Sequence, residues 1–391
     1  MKEQNNEFNN SKNENKTEIN QNKENKKQEE NNNHAENDHQ NKNIKDIKNK
    51  KEICLLDFQF INVLVEDSKI YYNLNDTFNI FKSIDDILYL IYVNNNNSII
   101  FYNIIDNKKI NEIKNTHNDY ITNFRHVSDN INQRDLLMSI SAFNNNIKIW
   151  DINNLECILN IEKINKKNEY LLSACFLNNN NNIYIVTSSK KNDNISNRIT
   201  EPIKVYDLNS KKVKTIYNSN YNTFYIDTYY DIKQKKNYII AGNELFAISY
   251  DYEKNKQYQR YYSYNDIKKE SEVYYIFIDD SKEITKLIES TGKDDIKVWD
   301  FHSGKFLWNI ILGSSGSGFL LYNEYILIGY EEGYIKVKYL KSGINIKTLK
   351  AHKNKVYSIK KIYHPKYGEC IISQSSSQIK LWKFNFSILN K

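Results

Sequence analysis

The feature that most limits what this chain can become is a short string that keeps returning. Ile296–Asp300 reads IKVWD, and near copies start at Ile147 (IKIWD), Ile203 (IKVYD), Ile335 (IKVKY) and Ile379 (IKLWK). Each alternates its side chains and mixes β-branched with aromatic residues, as a short strand does. With the equivalent apolar runs at Ile100 and Phe246 there are seven starts, spaced by 47, 56, 43, 50, 39 and 44 residues. Repeats that carry four strands per unit have a period of roughly 40–45 residues. The longest interval holds the polar insert KKNDNISNRITEP, Lys190–Pro202, which accounts for its excess.

Each interval repeats the same internal order. YITNFRHV (Tyr120–Val127) and DLLMSISA (Asp135–Ala142) precede IKIWD, and CILNI (Cys157–Ile161) follows it. VYYIFID (Val273–Asp279), ITKLIES (Ile284–Ser290) and FLWNI (Phe306–Ile310) frame IKVWD in the same way. Such a unit is a small antiparallel sheet, apolar on both faces, that cannot stand alone. Set around a ring, each sheet covers its neighbours. The expected fold is therefore all-β, a β-propeller of seven blades with four antiparallel strands each. Eight blades is the alternative, with Cys54–Leu74 supplying most of the extra one. In the seven-bladed reading SKIYYNL (Ser68–Leu74) is a spare strand that completes the last blade and hides its open edge.

Composition fits this expectation once asparagine is given its role. Only 10 Gly and 2 Pro are present, and every Gly lies at or after Gly242. Asn is the next-best residue for left-handed turn positions, so the runs at Asn94–Asn97 and Asn178–Asn182 read as turns. Residues 1–50 are Asn, Lys, Glu and Gln with few apolar residues, too little to offset ordering entropy, and read as a disordered tail. The propeller then occupies 51–391. The chain shows no apolar leader segment and no 18-residue apolar run, which predicts an intracellular protein of the cytoplasm or nucleus without membrane insertion. Four separated cysteines without C-x-x-C spacing read as buried free thiols.

The repeat resembles the WD40-repeat family. IKIWD and IKVWD carry the family's Trp-Asp pair at Trp150-Asp151 and Trp299-Asp300, and Trp382 stands at the same place in the last unit. The family's His ahead of the first strand is matched by His117 in THNDYI and His352 in AHKNKV. The resemblance implies a hydrogen-bonded set of His, Ser or Thr, turn Asp and Trp inside a blade. Asn144, Lys293 and Ser376 stand at the turn-Asp position in three units, so no unit carries the complete set.

No motif predicts catalysis, a metal or a cofactor. GSSGSG (Gly313–Gly318) lacks the Gly-Lys-Ser/Thr and helix that a phosphate loop needs, and reads as a flexible link between blades. The histidines lack metal-ligand spacing. ESTGKDD (Glu289–Asp295) gathers charges in a predicted hairpin, where they are expected to be solvated. The recurrent Lys148, Lys204, Lys297, Lys336 and Lys380 are expected to lay their stems on apolar neighbours with the ammonium in water.

The expected function is non-catalytic: a monomeric propeller scaffolding a larger protein complex, as the resemblance implies. Candidate partner contacts lie on loops that lead into first strands and on second-to-third strand turns: Asn118, Tyr120, Phe143, Tyr221, Lys355 and Ser375. Two alternatives stand beside it. A net charge of +7 allows a role in an RNA-protein particle. A ubiquitin-ligase substrate receptor of this family often has an Arg two residues after Trp-Asp, where this chain has Asn153 and His302.

Overall fold

A computed structural model describes residues 53–66, 68, 78–141, 145–162, 169–191, 201–219, 221–262, 272–291, 295–313 and 315–389. The chain divides into two compact units, one of Leu56–Phe386 and one of Met1–Leu55 with Ser387–Lys391. In the second, only the backbone of 53–55 and 387–389 is described. The expected tail, 1–50, lies outside the described residues.

The first unit is a seven-bladed β-propeller of four-stranded antiparallel sheets. An N-terminal strand, β1 (Ile53–Val65), precedes the first blade. Blade one is β2 (Phe78–Lys82), β3 (Leu88–Val93), β4 (Ile99–Asn103) and β5 (Lys108–Ile113). Blade two is β6 (Asn123–Asp129), β7 (Arg134–Ser141), β8 (Asn146–Asp151) and β9 (Glu156–Ile161). Blade three is β10 (Glu169–Asn179), β11 (Asn182–Lys191), β12 (Glu201–Asp207) and β13 (Val213–Ser219). Blade four is β14 (Thr223–Asp231), β15 (Lys236–Asn243), β16 (Ala247–Asp251) and β17 (Lys256–Tyr261). Blade five is β18 (Tyr275–Asp279), β19 (Lys286–Ser290), β20 (Asp295–Asp300) and β21 (Phe306–Ile311). Blade six is β22 (Gly316–Tyr322), β23 (Tyr325–Tyr330), β24 (Tyr334–Tyr339) and β25 (Asn345–Lys350). Blade seven joins β26 (Ser358–His364), β27 (Gly368–Gln374) and β28 (Ile379–Leu389) to β1.

The period of the sequence is the period of the ring. First strands neighbour one another, β2 beside β6 and β26, and β10 beside β6 and β14. Seven apolar clusters fill the seven boundaries between blades. Alternation along a strand feeds two of them at once. Leu136, Met138 and Ile140 of β7 pack toward blade three, while Leu137 packs toward blade one. This is the double-sided apolar sheet that the strand pattern requires.

The ring closes with a different segment from the one expected. The fourth strand of the last blade is β1, not Ser68–Leu74. Ser68 forms only an isolated bridge to Asn94, and 69–74 lie outside the described residues. Nor does Cys54–Leu74 build an eighth blade, because 53–65 is one strand. Leu56, Leu64 and Val65 are buried, Phe58 lies 5.1 Å from Phe384, and Phe60 lies 5.2 Å from Trp382. The aromatics of β28 leave a matching apolar surface, and β1 has the alternation to cover it.

The string that repeats also marks a recurrent backbone irregularity. In each of the six blades whose own fourth strand follows the third, the pairing slips by one residue just before or at one position. That position holds Tyr102, Trp150, Tyr206, Tyr250, Trp299 and Lys338. A bulge there increases twist and bends the outer strand. Asparagine supplies the tight turns: eight of the thirteen described non-glycine residues with positive φ are Asn, including Asn97, Asn180 and Asn181 in the two runs. The Gly-rich segment is not wholly a link, since Gly316–Gly318 begins β22. A Cβ on Gly318 (φ +65°) would lie 2.8 Å from the amide nitrogen of Ser358 in the next blade.

Candidate functional site

In an antiparallel blade the first-to-second and third-to-fourth strand turns fall at one end. The second-to-third turns and the blade-to-blade connections fall at the other. The propeller therefore offers two faces of turns and, along its axis, a channel of about 470 Å³ walled by first-strand residues such as Arg125, Tyr225, Asp227, Tyr275 and Lys360.

The repeat positions lie inside the blades. His117 Nε2 is 2.7 Å from Ser139 Oγ, which also accepts a 2.8 Å bond from Trp150 Nε1. Blade seven repeats this with His352, Ser373 and Trp382 at 2.8 and 2.9 Å. Burial, reinforced by the ammonium of Lys148 or Lys380, pushes both imidazoles down to about 3, so they are neutral at physiological pH. The two lysines were expected in water. Instead Lys148 donates to the Thr116 carbonyl and Lys380 to the Ala351 carbonyl at 3.0 Å, each tying down the residue before the His.

The Asp of the Trp-Asp pair has a separate task. Asp151 Oδ1 accepts the Asn153 amide, and Asp300 Oδ1 accepts those of His302 and Ser303, each at 3.0 Å. Asp207 and Asp251 bind Ser210 and Lys254 in the same manner, and Asn103 does so in blade one. A side-chain oxygen that accepts an amide two or three residues on fixes the turn into the fourth strand.

Sequence reasoning missed two buried polar centres. Glu289 was expected to be solvated and is 4% exposed. It holds the serine position of blade five, accepting Trp299 Nε1 at 3.0 Å and the Ala247 amide of blade four at 3.0 Å. The register was readable, since Glu289 stands opposite Lys297 just as Ser139 stands opposite Lys148. The second centre is Asp135. It receives His126 Nε2 at 2.7 Å, Ser128 Oγ at 2.9 Å and the Ile84 amide of blade one at 2.7 Å, while His126 stacks on Phe81 at 3.8 Å. Ser, His and Asp meet here, but both Ser128 and His126 bond the carboxylate. A nucleophile needs the base at its own hydroxyl, so this is a brace between blades.

The predicted contact residues fare unequally. Asn118 and Tyr120 are exposed on the connection between blades one and two. Tyr221 is half-buried, edge-on to Phe246 at 5.2 Å. Lys355 lies 3.4 Å from the Glu331 carboxylate. Ser375 is 3% exposed and caps its own turn by accepting the Gln378 amide, so its side chain is not presented to a partner. Phe143 and Asn144 lie outside the described residues. Among the free thiols, Cys175 and Cys370 are buried as expected, but Cys157 is exposed because β9 is an outer strand.

Among the described residues no group of three His, Cys, Asp or Glu side chains is placed to hold a metal ion. No described helix is long and apolar enough to cross a membrane. Compared with known proteins, the sequence matches no family model and no curated relative.

Proposed function

We propose that this protein is a divergent WD40-type propeller that works without catalysis, as a scaffold for a multiprotein complex in the cytoplasm or nucleus. The observation that carries this reading is the pair of His–Ser–Trp chains in blades two and seven. They are the internal bracing that the WD40 resemblance implies. They also use up the most conspicuous histidines and serines of the repeat in bracing single blades from within. What faces outward is two rings of turns on a rigid frame, which suits recognition of other proteins.

The test is purification of the C-terminally tagged protein from its own cells, with and without RNase, and identification of what remains bound. A stable protein set that survives RNase supports the scaffold. Loss of the set with RNase replaces it with membership of an RNA-protein particle.

A further inference from the structure

We infer that the face formed by the first-to-second and third-to-fourth turns of blades three and four docks an acidic segment of a partner protein bearing apolar side chains. This rests on the scaffold reading and assigns its surface and partner chemistry.

The charge on this face is uneven. Elsewhere on it several exposed lysines are paired, Lys82 with Asp86 at 2.7 Å, Lys108 with Asp106 at 3.4 Å, and Lys282 with Glu324, while Lys305, Lys341 and Lys366 stand singly on three different blades. In blades three and four, Lys211, Lys212, Lys235, Lys254 and Lys256 are exposed, and none makes an ion pair among the described residues. The nearby acids are engaged by the protein: Asp207 Oδ1 accepts the Ser210 amide at 2.7 Å, and Glu253 accepts the Asn237 amide at 3.1 Å and its side chain at 3.3 Å. Uncompensated positive charge on a folded surface favours an acidic partner.

Apolar anchors stand in the same place. Ile232 is 72% exposed and Tyr230 is 50% exposed. Their turn is rigid. Asp231 Oδ1 accepts the amides of Lys233 and Gln234, and Lys233 Nζ reaches the Lys282 and Glu283 carbonyls of blade five. An apolar side chain held out on a braced turn binds without first having to be ordered.

The turns form one surface. Lys214 of β13 bonds the Tyr184 hydroxyl and lies 5.7 Å from the Tyr252 ring of blade four. Asn237 of blade four bonds Asn179 of blade three at 3.1 Å. Thr228 bonds the Phe176 carbonyl, so Tyr230, two residues further on the same side of β14, leans toward blade three.

The test uses the full chain and a fluorescein-labelled peptide of repeated Glu-Glu-Leu-Phe, with a control peptide in which Leu and Phe are Ser. At about 0.15 M salt, where surface charges are screened beyond roughly 8 Å, the Leu/Phe peptide is expected to bind. Joint Lys211→Glu, Lys212→Glu, Lys235→Glu, Lys254→Glu and Lys256→Glu is expected to weaken it roughly tenfold or more. Ile232→Ser weakens the Leu/Phe peptide and leaves the Ser peptide unchanged. Lys114→Glu with Lys353→Glu, on the opposite face, changes neither. Matching thermal midpoints confirm folding. No peptide binding, or binding indifferent to both sets of variants, overturns the proposal. So does lysine-dependent binding of phosphatidylserine vesicles or polyuridine without peptide binding.

Purification with RNase separates the two readings. If wild-type and lysine variant retain the same protein set, the scaffold stands and this surface falls. If the wild type retains none, the scaffold reading itself falls.

Discussion

Trp299 donates its indole N–H to a carboxylate, Glu289, at 3.0 Å, where the equivalent tryptophans of blades two and seven donate to serines. The longer side chain also spans to the Ala247 amide of the preceding blade. A carboxylate at the serine position keeps the bond inside the blade and adds one between blades. Glu289→Ala leaves two buried donors without this acceptor, at roughly 1–3 kcal/mol each. We expect a loss of about 2–6 kcal/mol by denaturant unfolding, with Glu289→Gln intermediate because it keeps one acceptor oxygen. Equal stability for Ala and wild type would show that the carboxylate does not brace the boundary.

Ser139→Ala removes the hydroxyl that joins His117 to Trp150, and Ser373→Ala does the same between His352 and Trp382. Each is expected to cost about 1–3 kcal/mol. The sites lie in different blades and share no partner, so the double variant should show the sum within about 0.5 kcal/mol. Non-additivity in equilibrium unfolding would mean that blades two and seven are coupled.

Acid should weaken the fold before its carboxylates titrate. His117 and His352 sit near 3 in the folded protein against 6.5 when exposed. The unfolded chain therefore binds more protons below pH 6.5, and the stability present above that pH is lost as pH falls. The slope is up to about 1.4 kcal/mol per pH unit per histidine. His126 and His364 are lowered by burial as well and add the same sign. Unfolding midpoints from pH 7 to 5 should fall, and fall less steeply in His117→Gln with His352→Gln. A flat wild-type profile would contradict neutral, buried imidazoles.

Ring closure belongs to β1. A chain that starts at Lys51 should melt as the full chain does. A chain that starts at Ser68 loses the partners of Phe384 and Trp382 and opens the edge of β28. It should aggregate or lose cooperative unfolding, as exposed edge strands do. Identical melting of the two truncations would remove β1 from the closure.

The sequence by itself determined the repeat, and through it the ring. The strings at Ile147, Ile203, Ile296, Ile335 and Ile379 locate their third strands within two residues, because alternation and spacing are local properties of the chain. Asparagine turns were readable for the same reason, since positive φ is a property of one residue. Only the tertiary structure decided which strand closes the ring. Ile53–Val65 and Ser68–Leu74 are both plausible strands, and the choice depends on fit against β28, hundreds of residues away in the chain. It also decided that Glu289 is inside, that Ser375 is covered, and that five exposed lysines of blades three and four gather on one face without ion pairs among the described residues. Burial and charge pairing are set by neighbours from other blades, and one blade's sequence does not contain them.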